Sequence, residues 1–370
     1  MTSTEQTVRV DLGTRSYDIA IGAGILPSVG GLCRAWFGKT DGEPLKCFVV
    51  TDTNILQPHA NAVKRALSET GAEVRVICVN AGEASKSLQE VSDLYDELVD
   101  FKADRHTVVV AVGGGVIGDL AGFVAATYAR GLPFVQIPTT LLAMVDSSVG
   151  GKTRINHPSN KNLIGAFHQP AGVLIDTDVM STLPDRDFRS GLAEVIKYGV
   201  ILDADFFDYL EQNVAGLNSR DPEILRHVVA RSCQLKAYVV REDERETTGL
   251  RAILNYGHTY AHAFEALSGY GALLHGEAVS IGMMCGARLA RAVGRIGDAD
   301  VQRQLDLLKR VELPVDVPAA LRDRTDDILN VMLLDKKTVG GDLKFVLPDR
   351  IGHVDTIGGI DSGTILDCLS

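Results

Sequence analysis

A glycine cluster that follows an apolar run is the first place where the sequence can bind an anion. Val108–Val112 leads directly into Gly113-Gly114-Gly115, which predicts a strand, a tight turn and a helix. Glycine lets backbone amides approach a phosphate closely, and a helix N-terminus favours negative charge. The alternative is a turn that only shapes the fold, because the segment matches neither the usual GxGxxG fingerprint nor a P-loop.

Basic side chains are concentrated in the sequence that follows this cluster. Between Val108 and Phe167 the charged residues are Arg130, Lys152, Arg154 and Lys161, with only Asp119 and Asp146 among the acids. The whole chain has a formal net charge of -11, so this segment is basic against an acidic background. We expect it to contact the phosphate of an anionic ligand such as a dinucleotide.

Three histidines and a carboxylate form a second candidate site. His258 and His262 stand at i and i+4, so on a helix they share one face, as paired metal ligands do. His275 follows nearby, and Glu194 precedes Lys197 by three residues in an apolar helical context, where charges are costly unless paired or functional. The residues predict a metal site, with histidines satisfied by core hydrogen bonds as the alternative.

Other basic residues occur in the second half of the chain. Lys236 and the pair Lys336-Lys337, taken singly, are typical of surface charge. Arg251 differs because it stands close to the histidines, and a guanidinium binds carboxylate or phosphate bidentately.

Two kinds of element must position these residues. The first half alternates strands and helices after a hairpin predicted for Thr7 to Ile21, which implies a mostly parallel sheet covered on both faces. Its predicted elements are strands at 47–50, 73–79, 108–112, 134–137 and 172–176, and helices at 61–69, 88–99 and 120–126.

Helical patterns dominate after about Thr182. The predicted helices are 190–198, 203–215, 222–242, 261–267, 277–293 and 299–311, and a strand pattern returns only near 343–347. We therefore place a boundary near residue 180, between an α/β domain at 1–180 and a mainly helical domain at 181–370.

The composition excludes several classes of protein. An acidic chain argues against nucleic-acid binding, and no apolar run approaches the roughly 18 residues of a membrane helix. The polar N-terminus lacks the apolar region of a signal peptide, and six scattered cysteines without a CxxC pair are typical of reduced, structural thiols. We expect a cytoplasmic enzyme that has no membrane or nucleic-acid partner.

Several long motifs carry a family resemblance. They are Gly113–Asp119, Pro138–Lys152, Lys161–Phe167, Leu192–Lys197 and Asn255–Thr259. With them in this order, the chain resembles the 3-dehydroquinate synthases, within the sugar-phosphate cyclase superfamily, over nearly its whole length. The resemblance implies an N-terminal dinucleotide-binding, Rossmann-like α/β domain and a mainly α-helical C-terminal metal-binding domain.

The resemblance also implies a role for particular residues. NAD is expected at Asp52, Asn54, Glu83, Lys86, Gly114, Gly115, Val116, Asp119, Thr139, Thr140, Lys161, Thr182 and Leu183. The metal, zinc or alternatively cobalt, is expected at Glu194, His258 and His275, which moves His262 from the ligands to the substrate pocket. That pocket is expected to contain Asp146, Lys152, Asn162, Lys197, Lys236, Arg251, Asn255, His262 and one of Lys336 and Lys337. Arg130 is expected to reach the phosphate site of a neighbouring subunit, which implies a homodimer.

The activity implied is the conversion of 3-deoxy-D-arabino-heptulosonate 7-phosphate to 3-dehydroquinate and phosphate, a step of the shikimate pathway. It proceeds through transient oxidation by NAD, phosphate elimination, re-reduction and intramolecular aldol cyclisation. A related cyclase acting on sedoheptulose 7-phosphate and an NAD- and metal-dependent polyol dehydrogenase are the alternatives. One departure from the family pattern is Ser159-Asn160, where an asparagine tolerates the positive φ of a turn.

Overall fold

The computed structural model describes residues 5–40, 42–269, 271–336 and 343–369. The chain divides into two compact units. The first contains Met1–Pro184 together with Leu225–Arg245, and the second contains Asp185–Ile224 together with Glu246–Ser370.

The first unit is built on a seven-stranded sheet, counted within the described residues, in the order β1-β2-β9-β6-β5-β3-β4. The strands of this unit are β1 Gln6–Val10, β2 Tyr17–Gly22, β3 Lys46–Asp52, β4 Glu73–Val79, β5 Val108–Gly113, β6 Phe134–Pro138, β7 Lys152–His157, β8 Asn160–Phe167 and β9 Gly172–Asp176. Its helices before residue 184 are α1 Val29–Trp36, α2 Asn61–Glu69, α3 Leu88–Asp100 and α4 Gly115–Thr127. Only β1 joins this sheet antiparallel, as the first strand of the predicted hairpin.

The sheet is covered on both faces because its strands alternate. Val49 packs with α1 and α2 in one apolar cluster, whereas its neighbours Phe48 and Val50 pack with α3 and α4 in another. Every residue of β5 is buried, as the continuous apolar run predicts. The predicted α/β domain is confirmed.

The strand order creates a switch point between β3 and β5. The chain passes from β3 to β4 on one side and then returns to place β5 on the other side of β3. Connections that leave neighbouring parallel strands in opposite directions open a crevice at the carboxyl ends of those strands, where open α/β sheets bind ligands. Asp52 ends β3 and the glycine cluster follows β5, so both lie at this crevice.

One element of the first unit differs from the sequence-based expectation. Lys152 to Phe167 forms the antiparallel hairpin β7–β8, whereas the predicted strands include none in this segment. Among the described residues near its turn, the positive φ belongs to Asn162 (58°), so the expectation that Asn160 supplies it is wrong.

The second unit is mainly helical, as predicted. Its helices are α5 Asp185–Leu202, α6 Ala204–Gln212, α7 Val214–Asn218, the start of α8 Pro222–Glu242, α9 His258–Ser268, α10 His275–Ala292, α11 Asp298–Arg310, α12 Thr325–Lys336 and α13 Ser362–Asp367. The antiparallel strands β10 Lys344–Arg350 and β11 His353–Gly358 complete it. Within the described ranges, no helix has the length and apolar character that crossing a membrane requires.

Candidate active site

Three side chains of the second unit converge on one point. Glu194 lies on α5 and is completely buried, His258 begins α9, and His275 begins α10. The ring Nε2 atoms of His258 and His275 lie 3.4 and 3.5 Å from Glu194 Oε1. Their three ligand-type atoms all lie within 4.8 Å of one another.

The other nitrogen of each ring is held by a hydrogen-bond acceptor. His258 Nδ1 lies 3.1 Å from the carbonyl oxygen of Tyr256, and His275 Nδ1 lies 3.4 Å from Glu265 Oε2. A carbonyl oxygen only accepts, so His258 Nδ1 carries the proton and its Nε2 lone pair faces Glu194. Ligating histidines are oriented by this kind of partner in metalloproteins.

These residues fit a divalent metal ion. A lone pair of His258 and a carboxylate oxygen face each other, a contact that only a cation between them makes favourable. Two ligand atoms that are each about 2.1 Å from a tetrahedral zinc ion lie about 3.4 Å apart. The observed separations of 3.4 and 3.5 Å match this value.

The two histidines are electrostatically different. Burial, followed by the charge of Lys197, lowers the pKa of His258 to about 3, so this ring is neutral. Burial also acts to lower the pKa of His275, but hydrogen bonds and charges from Glu194 and Glu265 outweigh it and raise the pKa to about 10. A metal ion must therefore displace a proton from His275.

Lys197 and Glu194 form a buried ion pair on α5. Lys197 Nζ contacts Glu194 Oε2, and the lysine is 1% exposed. The carboxylate thus turns one oxygen to the histidines and the other to the lysine.

Three other predicted pocket residues of the second unit lie close to His258 along the chain. The His262 ring meets that of His258 edge-on with 5.7 Å between centroids, and His262 is outside the group of candidate ligands. Arg251 is buried, with Glu246 Oε1 at 3.7 Å from its Nε, and Asn255 ends the same 3₁₀ turn. The prediction for Lys336 and Lys337 lies outside the described part of the chain, since the side chain of Lys336 and all of Lys337 are not described.

In the first unit, the glycine cluster forms the N-terminus of α4. Gly114 is the N-cap and no side chain caps the helix. A Cβ on Gly114 would lie 3.2 Å from Thr140 Cγ2, and one on Gly115 would lie 3.1 Å from Ser147 Oγ. Glycine thus favours the close approach of these segments, and the first backbone N–H groups of α4, which have no partner within the helix, can bind an anion.

Orphaned hydroxyl groups occur at the same place. Within the residues described, Thr139 Oγ1 and Ser147 Oγ are buried without a hydrogen-bond partner. Burying an unsatisfied hydroxyl costs about 1–3 kcal/mol, so such groups mark sites that a ligand satisfies. The cluster fits the phosphates of a dinucleotide, and Ser147 is a candidate contact that the sequence reading missed.

A polar network connects several of the residues predicted to bind NAD. Lys86, 4% exposed, donates from Nζ to Asp119 Oδ2 at 2.8 Å, and Arg154 Nε lies 3.5 Å from the same oxygen. Lys86 Nζ also lies 3.4 Å from Glu83 Oε1. The network thus brings two carboxylates, Glu83 and Asp119, together with two cations, Lys86 and Arg154.

The remaining predicted NAD residues lie at strand ends, in turns and near the starts of α4 and β8. Asp52 accepts hydrogen bonds from the backbone N–H groups of Asn54 and Ile55, and burial raises the pKa of its carboxyl group. Thr182 ends the 3₁₀ helix that precedes Leu183, and its Oγ1 lies 2.7 Å from His59 Nε2. Val116 and Lys161 lie on α4 and β8.

Four of the predicted substrate residues lie in the first unit. Asp146 stands in a π-helical turn, and its Oδ1 accepts from Lys236 Nζ at 2.5 Å. Lys236 belongs to the segment Leu225–Arg245, which is part of this unit although the sequence places it among the later helices. Lys152 begins β7 and Asn162 lies on β8.

Arg130 lies in a strained turn after α4. Ala129 and Arg130 both have positive φ, 47° and 68°, and Arg130 is exposed. Left-handed non-glycine residues cost about 1–3 kcal/mol each and are concentrated at functional sites.

Sequence reasoning missed some residues that contact the predicted ones. Arg154 and Asn156 belong to β7, where polar and apolar residues alternate, so a search for period-two patterns would have found them. Glu265 is seven residues after His258 on α9, hence on the same face of that helix.

Comparison with known proteins gives a consistent result. The family model described as 3-dehydroquinate synthase N-terminal matches residues 76–190, and that described as 3-dehydroquinate synthase C-terminal matches residues 191–338. The chain is 50% identical over 365 residues to the 3-dehydroquinate synthase of Desulforamulus reducens, which covers 98% of this chain and 99% of the relative.

Solved structures of sugar-phosphate cyclases have the same fold. A 2-deoxy-scyllo-inosose synthase complexed with carbaglucose-6-phosphate, NAD+ and Co2+ matches with a TM-score of 0.88 and 27% identity, over 98% of this chain and 99% of that one. The 2-epi-5-epi-valiolone synthase of Streptomyces hygroscopicus, with NAD+ and Zn2+ bound, matches with a TM-score of 0.85 and 29% identity over 95% of each chain.

Proposed function

The chain belongs to the 3-dehydroquinate synthase family, and from this membership we propose that it converts 3-deoxy-D-arabino-heptulosonate 7-phosphate to 3-dehydroquinate and phosphate. It is a carbon–oxygen lyase that uses NAD and a divalent metal. The observation that carries the proposal is the convergence of Glu194, His258 and His275, because three protein ligands leave a position for a substrate oxygen.

The second unit would hold the metal and orient the reacting sugar. When bound, NAD supplies a hydride acceptor and the metal supplies a Lewis acid for the substrate oxygen. Glu194, His258 and His275 would be the metal ligands, with Tyr256 and Glu265 fixing the rings. Lys197 would hold Glu194 in position through the ion pair at its second oxygen.

The first unit would hold the dinucleotide. The uncapped N-terminus of α4 and the hydroxyl groups of Thr139 and Ser147 can donate hydrogen bonds to its phosphates. Asp52, at the carboxyl end of β3, stands where an acidic side chain accepts from a ribose hydroxyl in related sheets. We propose this division between residues 1–180 for NAD and 181–370 for the metal, with Lys236 contributed by α8.

The anionic groups of the substrate account for the remaining basic residues. A sugar acid phosphate carries a carboxylate and a phosphate, which lysine and arginine bind through charge-assisted hydrogen bonds. Among the described residues we propose Lys152, Lys197, Lys236 and Arg251 as the cations that contact the substrate, with Asp146, Asn162, Asn255 and His262 as polar contacts. Lys336 or Lys337 is a further member.

We also propose a homodimer in which Arg130 serves the phosphate site of the partner. The strained and exposed turn at Ala129 and Arg130 supports a functional role, because an ordinary surface turn has no need of two consecutive left-handed non-glycine residues. A cytoplasmic location stays a prediction of the sequence.

Phosphate release from two substrates tests the proposed function. The protein, loaded with zinc and NAD, is incubated with the heptulosonate phosphate or with sedoheptulose 7-phosphate, which lacks the carboxylate. We expect phosphate only from the first, and no release after a chelator removes the metal. Release from sedoheptulose 7-phosphate alone would instead identify a related cyclase, and full activity after chelation would exclude the metal assignment.

A further inference from the structure

Asn156 lies on β7, where the pairing of the hairpin β7–β8 is irregular. The register pairs Ile155 with Ile164 and His157 with Asn160, so the single residue Asn156 lies opposite residues 161–163. This bulge in β8 contains Asn162, whose φ of 58° is left-handed. Bulges are often found beside active sites, where they redirect a side chain.

Four hydrogen bonds connect Asn156 to two separate segments, the longest of them from its Nδ2 to the Glu83 carbonyl oxygen at 3.4 Å. Its backbone N–H donates to the Lys86 carbonyl oxygen at 2.8 Å, and its Nδ2 donates to Glu83 Oε1 at 2.9 Å. Its Oδ1 accepts from the backbone N–H of Asn162 at 2.9 Å. One side chain thus bridges the segment Glu83–Lys86 and the bulge of β8.

The network closes through Lys86. Lys86 Nζ donates to Asn162 Oδ1 as well as to Asp119 Oδ2, so Asn162 is held both by its backbone and by its side chain. Loss of the Asn156 amide would release the backbone N–H of Asn162 and remove a donor from Glu83. Lys86 is buried and ion-paired, so it would stay in place.

Only an amide of this length satisfies both contacts. Glu83 Oε1 needs a donor and the Asn162 N–H needs an acceptor, and asparagine offers one of each on a single planar group. Aspartate would set a carboxylate against a carboxylate, and serine would not reach both.

We propose that Asn156 is a positioning residue that sets Glu83 for the dinucleotide and Asn162 for the substrate at the same time. The inference rests on the proposed function for the identity of the two ligands. Asn156 itself acts through Glu83 and Asn162, and its hydrogen bonds link the segment Glu83–Lys86, on the cofactor side, to the hairpin β7–β8, on the substrate side.

Binding and kinetics of Asn156→Ala, Asn162→Ala and the double variant test this proposal, with Asn61→Ala on α2 as a control. We expect Asn156→Ala to raise the Kd of NAD at least about 10-fold, the loss typical of a hydrogen bond to a charged group. We expect it to raise the KM of the substrate as Asn162→Ala does, with no further increase in the double variant, since coupled residues are not additive.

Two further variants separate positioning from a general loss of structure. Asn156→Asp keeps an acceptor for the Asn162 N–H but places a second carboxylate against that of Glu83. We therefore expect a higher Kd for NAD and a substrate KM close to that of wild type. When Glu83→Gln is added, the glutamine amide donates to the aspartate at position 156, so the hydrogen bond is restored with donor and acceptor exchanged. We expect the double variant to bind NAD more tightly than Asn156→Asp alone. These opposite responses are not expected of a residue that only supports the fold.

Additive effects on KM, or an unchanged Kd for NAD in Asn156→Ala, would overturn the inference. A wild-type protein that does not bind NAD would instead contradict the proposed function. The two failures are therefore distinguished by the wild-type measurement.

Discussion

Glu194 and Lys197 form an ion pair in which both partners are almost fully buried. Buried pairs contribute little net stability, since desolvation of both charges offsets their attraction. The pair is better explained as a device that fixes the carboxylate and its charge for a metal. The substitution Glu194→Gln preserves the shape of the side chain and removes its negative charge.

We predict that Glu194→Gln lowers zinc affinity by at least about 100-fold, beyond the range seen when only a supporting residue is lost. Phosphate release is expected to disappear, whereas the Kd of NAD should change little because the glycine cluster lies in the other unit. The exposed Glu69→Gln on α2 is the matched control. Zinc binding that equals wild type would contradict the ligand assignment.

At the same scale, the sequence identified the metal ligands only in part. The i, i+4 spacing of His258 and His262 correctly indicates one helix face, but spacing cannot tell which ring meets Glu194. That is decided by where α5 and α10 cross α9, and these crossings depend on packing between distant segments. The family resemblance implies His275 rather than His262, and His275 is the ring that lies with His258 beside Glu194.

Among the elements, the start of α10 is held unusually close to α5. A Cβ on Gly276 would lie 1.8 Å from the backbone carbonyl oxygen of Ser190, a distance that no side chain can occupy. The turn before the helix is fixed by Glu277, which accepts from the Leu274 N–H at 2.8 Å and from Arg186 Nε at 2.7 Å. His275 therefore reaches Glu194 because its neighbour is glycine.

We predict that Gly276→Ala displaces α10 from α5, costs about 1–3 kcal/mol of stability as overpacked cores do, and weakens zinc binding. Gly297→Ala is the control, because a Cβ there meets nothing within 4 Å. Zinc affinity and thermal unfolding of both variants are compared with wild type. An alanine variant at 276 that binds zinc normally would show that α10 does not need this close approach.

Element types were more predictable from the sequence than their pairing. Continuous apolar runs such as Val108–Val112 and periodic helices such as α8 are strong local signals, and they were predicted correctly. The helix predicted for Asp203–Ala215 is divided at Asn213, whose ψ of 20° ends α6 before α7 begins. The placement of Lys236 in the first unit depends on tertiary contacts, for which the sequence has no local signal.

For the whole molecule, the burial of several histidines makes the stability of the fold depend on pH. Burial lowers the pKa of His59, His168 and His227 below the usual 6.5, so below that pH the unfolded chain binds protons more readily than the folded chain does. Stability is then complete above about pH 6.5 and falls as the pH drops through the window below it.

We predict that Tm decreases between pH 7 and pH 5 and that His168→Gln reduces this decrease. The exposed His106→Gln is the control and should follow wild type. His168 suits this test because a glutamine amide can still donate the hydrogen bond that its Nε2 makes to the Leu132 carbonyl oxygen at 2.8 Å. The same pH dependence in His168→Gln as in wild type would contradict this explanation.

The proposed dimer makes a separate prediction about the complete assembly. If Arg130 serves the partner's site, Arg130→Ala and Glu194→Gln proteins are each inactive, but a mixed dimer has one complete site. Random exchange of subunits should restore about a quarter of the sites of a twofold dimer. Phosphate release after mixing and size by light scattering check this, and a mixture that stays inactive while dimers exchange would contradict it.

The central claim is that NAD is recycled within one turnover, and the ratio of phosphate released to NADH accumulated tests it most directly. Protein with zinc and less NAD than substrate is given the heptulosonate phosphate, and both products are followed in the same sample. We predict many phosphates released per NAD with no accumulation of NADH. NADH that rises in step with substrate consumed, without phosphate, would contradict the account and indicate a dehydrogenase.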